Sequence, residues 1–296
     1  MYLITGSNGL LGQKLVNLLQ EKNENYWLAT ARGGNRISNL AKEHFATMDI
    51  SDKQSIQEVF ESYKPSVLIH TAAMTQVDDC EAQQEACWLQ NVKAVEYLVE
   101  ACSKYQTFFV HLSTDFIFDG KDGPYSEEAE ANPISFYGES KWEAEKILQA
   151  SNIDWAIART VLLYGIVEDM SRSNIILWVK KSLEEGKTIK VVDDQWRTPT
   201  LAEDLAMGTY LIAKQKAKGI FNISGKDLLT PYQMALATAD FFGLDKSLIQ
   251  RADSSTFSQP AKRPPKTGFL IDKARKILGY EPHSFLEGLA LLQKQL

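Results

Sequence analysis

Three glycines, at positions 6, 9 and 12, constrain this chain more than any other feature. They follow the short apolar run Tyr2-Leu3-Ile4-Thr5 and open a segment that carries Leu11, Leu15, Leu18 and Leu19 on one helical face. A strand that turns tightly into a helix at glycines of this spacing makes a cradle for a pyrophosphate. Gly6 permits the turn, Gly9 removes a Cβ from the anion's path, and Gly12 lets the helix pack closely on the strand. Ser7, Asn8, Leu10 and Leu11 complete the loop, whose amides face the anion at the positive end of the helix. A dinucleotide is the ligand expected here.

The alternation that begins at this turn continues through the first 165 residues. Strands are expected near 2–5, 26–30, 45–48, 66–71, 107–113 and 155–160, and helices near 10–21, 52–62, 80–104 and 136–150. Such alternation predicts an α/β fold, a doubly wound parallel sheet of Rossmann type with helices on both faces. Ligands of these sheets bind beyond the C-terminal strand ends, where Thr5-Gly6, Thr71-Ala72 and Ser113-Thr114 all fall. Beyond residue 165 the alternation weakens. Helices are expected near 175–185, 201–214, 231–243, 271–278 and 284–295, with extended segments at 188–192 and 219–224. The expected division is a nucleotide-binding domain over 1–165, to which segments near 198–224 return, and a smaller C-terminal substrate lobe, mainly 166–296. The stretch 118–133, rich in Gly, Pro and acid, reads as a surface loop bordering the substrate.

The second strand selects the cofactor. NAD binders usually end it with an acidic residue for the ribose 2′-hydroxyl, but here the chain continues Ala31-Arg32-Gly33-Gly34-Asn35-Arg36. Guanidinium groups suit a 2′-phosphate, so NADP is expected, NADPH in preference to NADH, with Arg32 as a ligand. A solvated pair of loop arginines is the alternative. Asp49-Ile50 follows the third strand, where a carboxylate accepts from the adenine amino group; Ser51 and Asp52 also make this a helix start. After the apolar run Val67–His70, the small residues Thr71, Ala72 and Ala73 let the cofactor pass near the backbone.

Tyr137 and Lys141 stand four residues apart and so emerge from one helical face. A cation beside a phenol favours phenolate, so this tyrosine can give a proton to a carbonyl oxygen and be reprotonated. The hydroxyls of Ser113 and Thr114 are placed to hold that oxygen. His70 and His111, on central strands beside apolar neighbours, read as satisfied core histidines.

Composition removes other classes of function. With a net charge of −6 and no basic block, the chain offers no nucleic-acid surface. No run of about 18 apolar residues is available for a membrane span. Cys80, Cys87 and Cys102 lack metal-ligand spacing and read as buried free thiols of a cytoplasmic protein, and no metal site is expected.

Assembled, these strings resemble the extended short-chain dehydrogenase/reductase family along nearly the whole chain, and within it the branch of dTDP-4-dehydrorhamnose reductases. The likeness is carried by Ala72-Ala73, Thr75, Val77-Asp78 and Glu81, and by Ser113-Thr114-Asp115 with Phe118 and Gly120. Tyr137-Gly138 through Lys141, Arg159-Thr160, Tyr164-Gly165, Asp194-Gln195, Pro199-Thr200 and Arg263-Pro264 extend it. The resemblance implies hydride transfer from the nicotinamide to the 4-keto carbon of a nucleotide-linked 6-deoxysugar. Thr114 would orient the carbonyl, Tyr137 would donate the proton, and Lys141 would bind the nicotinamide ribose and tune Tyr137. Thr75 and Ser113 join the cofactor residues, and Asp115 and Phe116 the substrate residues. Asn174 is expected to cap a helix or to bind a sugar hydroxyl. Arg197 and Arg263 are expected either to neutralise a substrate diphosphate or to form structural ion pairs.

Relatives usually carry Tyr where this chain has Phe116, and Trp where it has Leu162, so the sugar end departs from the family pattern. A homodimer is also implied, because relatives often dimerise. An epimerase of the same family is the enzymatic alternative. The run Leu163–Glu168 and the C-terminal third resemble in addition the regulatory beta subunit of methionine adenosyltransferase, which implies a non-catalytic NADP-binding partner protein.

Overall fold

Seven parallel strands form the central sheet of the computed structural model, which describes residues 1–169 and 173–296. In chain order the strands of the protein are β1 (Tyr2–Thr5), β2 (Trp27–Ala31), β3 (Phe45–Thr47), β4 (Val67–His70), β5 (Phe108–Thr114), β6 (Trp155–Thr160), β7 (Leu163–Tyr164), β8 (Ile189–Val192), β9 (Thr200–Leu201), β10 (Gly219–Asn222) and β11 (Ile249–Ala252). The sheet order is β10-β6-β5-β4-β1-β2-β3, which reverses direction beside β1 and β4 and opens a crevice at their C-terminal ends.

Alternate residues of these strands feed two cores. Ile4, Ala29, Ile69, Val110 and Ala158 join one cluster, on the face covered by α1 (Leu10–Glu21). Leu3, Leu28, Leu68, Phe109 and Ile157 join the other, under α2 (Lys53–Tyr63). A side-chain period of two on a sheet covered on both sides explains why both sets are apolar.

The segment expected as one helix over 80–104 is broken. It divides into α3 (Val77–Ala82), α4 (Gln84–Trp88), a π turn (Leu89–Lys93) and α5 (Ala94–Tyr105). Gln83, at φ −128° and ψ 57°, lies outside helical geometry and makes the first break. The other strongly periodic helix, α6 (Phe136–Ala150), matches expectation and starts at Ser135, whose hydroxyl accepts from Gly138 N at 3.2 Å. A bidentate ion pair fixes α6 to β6: Arg159 Nη2 lies 2.7 Å from Glu145 Oε2 and Nε 3.0 Å from Oε1, both residues buried.

Past β6 come α7 (Ile175–Glu184), α8 (Ala202–Gln215), α9 (Pro231–Phe242), α10 (Asp272–Leu278) and α11 (Phe285–Gln293). From this part β10 pairs with β6 at the sheet edge, and α8 carries Leu205, Ala206 and Ile212 into the same core as α1. β8 pairs with β11, and β7 with β9, each in parallel. Clusters around Met234 and Phe285, and around Val179 and Ala235, pack α7, α9 and α11 separately from the sheet.

The acidic stretch 118–133 is not a free surface loop. Tyr125 is buried and stacks on Phe118 with ring centres 4.1 Å apart, and its backbone pairs with Gly268 and Leu270. Glu127, also buried, accepts from Asn222 N at 2.9 Å. No helix among the described residues is long and apolar enough to cross a membrane.

Candidate active site

A cleft of about 660 Å³ opens at the C-terminal ends of β1, β4 and β5. Its floor is the glycine turn. Gly6 holds φ at +68°, and a Cβ at Gly12 would lie 2.3 Å from Gly6 O, so helix and strand approach as closely as the sequence requires. No side chain caps the first turn of α1, and no acid stands in it, which leaves its amides and its dipole available to an anion.

Nearly every residue expected to hold the dinucleotide lines this cleft. Gly6, Asn8, Gly9, Leu10, Leu11 and Gly12 lie along the turn; Arg32, Asp49 and Ile50 follow β2 and β3; Ala72, Ala73, Thr75 and Ser113 follow β4 and β5. Ser7 does not. It is buried, with its amide donating to Thr30 O, because the second turn residue supports the loop rather than facing the cavity. Asn8 shapes the second loop through its side chain, which donates to Gly34 O and accepts from Arg36 N. Arg32 is exposed at the rim. Asp49 is partly committed to the helix start, since its carboxylate accepts from Ser51 N and Oγ.

The reactive end brings together Thr114, Tyr137 and Lys141, all buried on the protein side and all lining the cleft. Burial raises the Tyr137 phenol well above its ordinary range; the hydrogen bond from Thr114 opposes this and the Asp115 carboxylate adds to it. Lys141 Nζ is turned onto His111, 3.2 Å from Nε2. Burial pushes the Lys141 ammonium down to about 8, while Glu145 and the thiols of Cys87 and Cys80 pull it back.

Of the residues expected at the substrate end, Asp115, Phe116 and Asn174 line the cleft and Arg197 and Arg263 do not. Phe116 packs edge-on against Tyr137, ring centres 5.7 Å apart. Asn174 caps α7, accepting from Ile176 N and Leu177 N, and donates to Gly165 O at 2.7 Å. Arg197 is 5% exposed and donates to the carbonyls of Trp196, Pro264 and Pro265, with Asp115 Oδ2 3.8 Å from its Nε. Arg263 forks onto Asp78, with contacts of 2.7 and 3.2 Å. Within the chain, then, Arg197 bonds chiefly to carbonyls and Arg263 to the Asp78 carboxylate.

Sequence reasoning missed Asn91. It sits in the π turn, 1% exposed, where Oδ1 accepts from Met74 N at 2.8 Å. Its Nδ2 donates to Met74 O and to Ser140 Oγ, both at 3.0 Å. Asn91 thereby fixes the loop after β4 to the tyrosine helix. A lone Asn in an apolar helical pattern gives no sign of this, because the irregular turn that aims it inward leaves no trace in the periodicity. Of the two strand histidines, His70 is buried and bonded to Thr5 Oγ1 as a satisfied core residue, whereas His111 touches Lys141 and its Nδ1 has no partner. Among the described residues no group of three or more His, Cys, Asp or Glu side chains could hold a metal ion, and all three cysteines are buried thiols outside any disulfide.

Comparison with known proteins agrees with this geometry. Residues 1–296 match the RmlD substrate binding domain, and the chain belongs to that family. It is 33% identical over 253 residues to "Methionine adenosyltransferase 2 subunit beta" of Xenopus tropicalis, covering 84% of this chain and 74% of the relative. It is 30% identical over 292 residues to the "Probable low-salt glycan biosynthesis reductase Agl14" of Haloferax volcanii, covering 98% and 96%. A crystal structure of a dTDP-4-dehydrorhamnose reductase from Clostridium acetobutylicum superposes with a TM-score of 0.86 at 28% identity, covering 99% of this chain and 98% of that one.

Proposed function

Starting from membership of the RmlD substrate binding domain family, whose fold binds NAD(P), we propose that this protein is an NADPH-dependent reductase of the 4-keto group of a nucleotide-linked 6-deoxysugar. The observation that carries this reading is the convergence of Thr114, Tyr137 and Lys141 at the end of the dinucleotide cleft. Bound there, NADPH supplies the hydride. The protein's part is to hold and protonate the carbonyl oxygen on which negative charge develops. A phenol raised by burial stays protonated until that charge appears, and the Thr114 hydroxyl beside it is a second donor. Lys141, the cation beside the phenol, binds the ribose. Arg32 at the rim, with no carboxylate at the end of β2, supports NADPH over NADH.

The division of labour follows the chain. Residues 1–165, with the returning segments near 198–224, hold the dinucleotide, and the remainder of 166–296 holds the sugar. The near full-length likeness to a protein named as a reductase supports the catalytic reading. Following NADPH absorbance with a panel of nucleotide-linked keto sugars tests it. Oxidation stoichiometric with one sugar is expected, and product without net NADPH consumption would identify an epimerase.

A second reading has its own observation, the identity to methionine adenosyltransferase subunit beta. On that reading the chain is a nucleotide-binding partner of a methionine adenosyltransferase. Size-exclusion chromatography of the two proteins mixed at micromolar concentration separates the readings, since the reductase forms no complex.

A further inference from the structure

Beneath the reactive end of the cleft, three strand ends carry a row of polar groups in an otherwise apolar layer. Parallel register sets Thr5 beside His70 and His70 beside His111. By the alternation of side chains these three share the face that carries Leu3, Leu68 and Phe109. The two imidazoles stack with centres 5.5 Å apart and planes 25° apart, and each is almost wholly buried. Burial, with the nearby lysine as the second cause, holds both well below the ordinary histidine range, so both are neutral.

Hydrogen-bond partners bear differently on the two imidazole protons. Thr5 Oγ1 accepts from Ala72 N at 3.3 Å and lies 2.8 Å from His70 Nδ1. With one hydrogen and two lone pairs, that hydroxyl serves either tautomer of His70. At His111 the partner is Lys141 Nζ, 3.2 Å from Nε2. An ammonium can only donate, so Nε2 accepts and the proton sits on Nδ1. That Nδ1 is buried and has no partner, an arrangement that costs stability and calls for an explanation.

We propose that His111 is a positioning residue for Lys141: a neutral imidazole, protonated on Nδ1, that accepts one of the three ammonium hydrogens and leaves the other two for the cofactor cleft. The proposal rests on the reading of Lys141 as the ribose ligand. A neutral acceptor suits this task better than a carboxylate, which would neutralise the cation it orients. Other titratable groups surround Lys141, and two of them have partners of their own. Glu145 on its own helix is taken by Arg159, and Tyr137 one turn earlier is bonded by Thr114. From β4 comes the neutral His70, and from α3 and α4 come the thiols of Cys80 and Cys87, which favour the charged lysine; hydrogen bonding, with Lys141 as a further cause, lowers Cys87 to about 7.

Two measurements on the full-length protein test this, neither requiring turnover. The first is the set of histidine ¹⁵N shifts at neutral pH, with Lys141→Met used to assign His111. Protonated Nδ1 and bare Nε2 are expected at His111, with no titration between pH 5 and 8. A proton on Nε2 in the unsubstituted protein overturns the proposal.

The second is NADPH affinity against pH in the natural protein, His111→Phe and His111→Gln. Binding depends on charged Lys141 and weakens as pH rises through the lysine's ionisation. Phenylalanine keeps the ring but removes the acceptor of the charged form, so the midpoint should fall by about one to two pH units. Glutamine, whose amide oxygen reaches the Nε2 position, should restore it. An unmoved midpoint in a folded His111→Phe protein, or no recovery with glutamine, refutes the positioning role. Absence of turnover with every keto sugar would sink the reductase reading alone and leave both measurements standing.

Discussion

At the dinucleotide end of the cleft the walls come from backbone turns at successive strand ends, whereas at the far end the expected ligands are arginines whose partners lie a long way along the chain. Arg197 meets the carbonyl of a proline 67 residues later, and Arg263 meets a carboxylate 185 residues earlier. The first kind of site is written locally: a short strand, a turn and a helix start suffice. The second depends on which carbonyl or carboxylate tertiary folding brings within reach, and here folding used both cations to bind the chain to itself.

Substitutions at the two ends should therefore fail in different ways. The largest effect is expected at the reactive centre between them: Tyr137→Phe should lower turnover by about 10²–10⁴, with NADPH binding little changed in a fluorescence titration. Unaltered turnover would remove Tyr137 from the role of proton donor. Next comes Arg197→Leu, which strips three carbonyls and Asp115 of their partner. Chemical denaturation should show a loss of about 3–5 kcal/mol; an unchanged stability with a raised KM would return Arg197 to the substrate.

Arg32→Ala should weaken NADPH by about tenfold to a hundredfold, the size of a charge-assisted hydrogen bond, and leave NADH almost unaffected. Equal losses for both cofactors would deny a 2′-phosphate contact. Arg263→Ala should be the mildest in denaturation. Its pair with Asp78 is partly exposed, and such pairs contribute about 1 kcal/mol or less.

Legibility in the sequence followed the same contrast. The six leading strands and the tyrosine helix were readable because each carries a complete local signal: an apolar run of strand length, or a helical period with Ser135 as its cap. The break at Gln83 and the π turn that presents Asn91 were not, since both keep a helical composition while changing backbone geometry. The stretch 118–133 misled through its acidity. Tyr125 and Glu127 are buried by contacts with segments about 100 or more residues away, which composition cannot show.

By itself the sequence determined the doubly wound sheet, the glycine turn and the pairing of Tyr137 with Lys141 on one helical face, because strand, turn and helix periodicities act over a few neighbouring residues. Only the tertiary structure decided what those groups meet. It set Lys141 on His111, spent Arg197 and Arg263 on internal partners, and buried the phenol deeply enough to hold its proton. Such outcomes depend on desolvation and on partners distant in the chain, and both exist only once the sheet has brought its strand ends together.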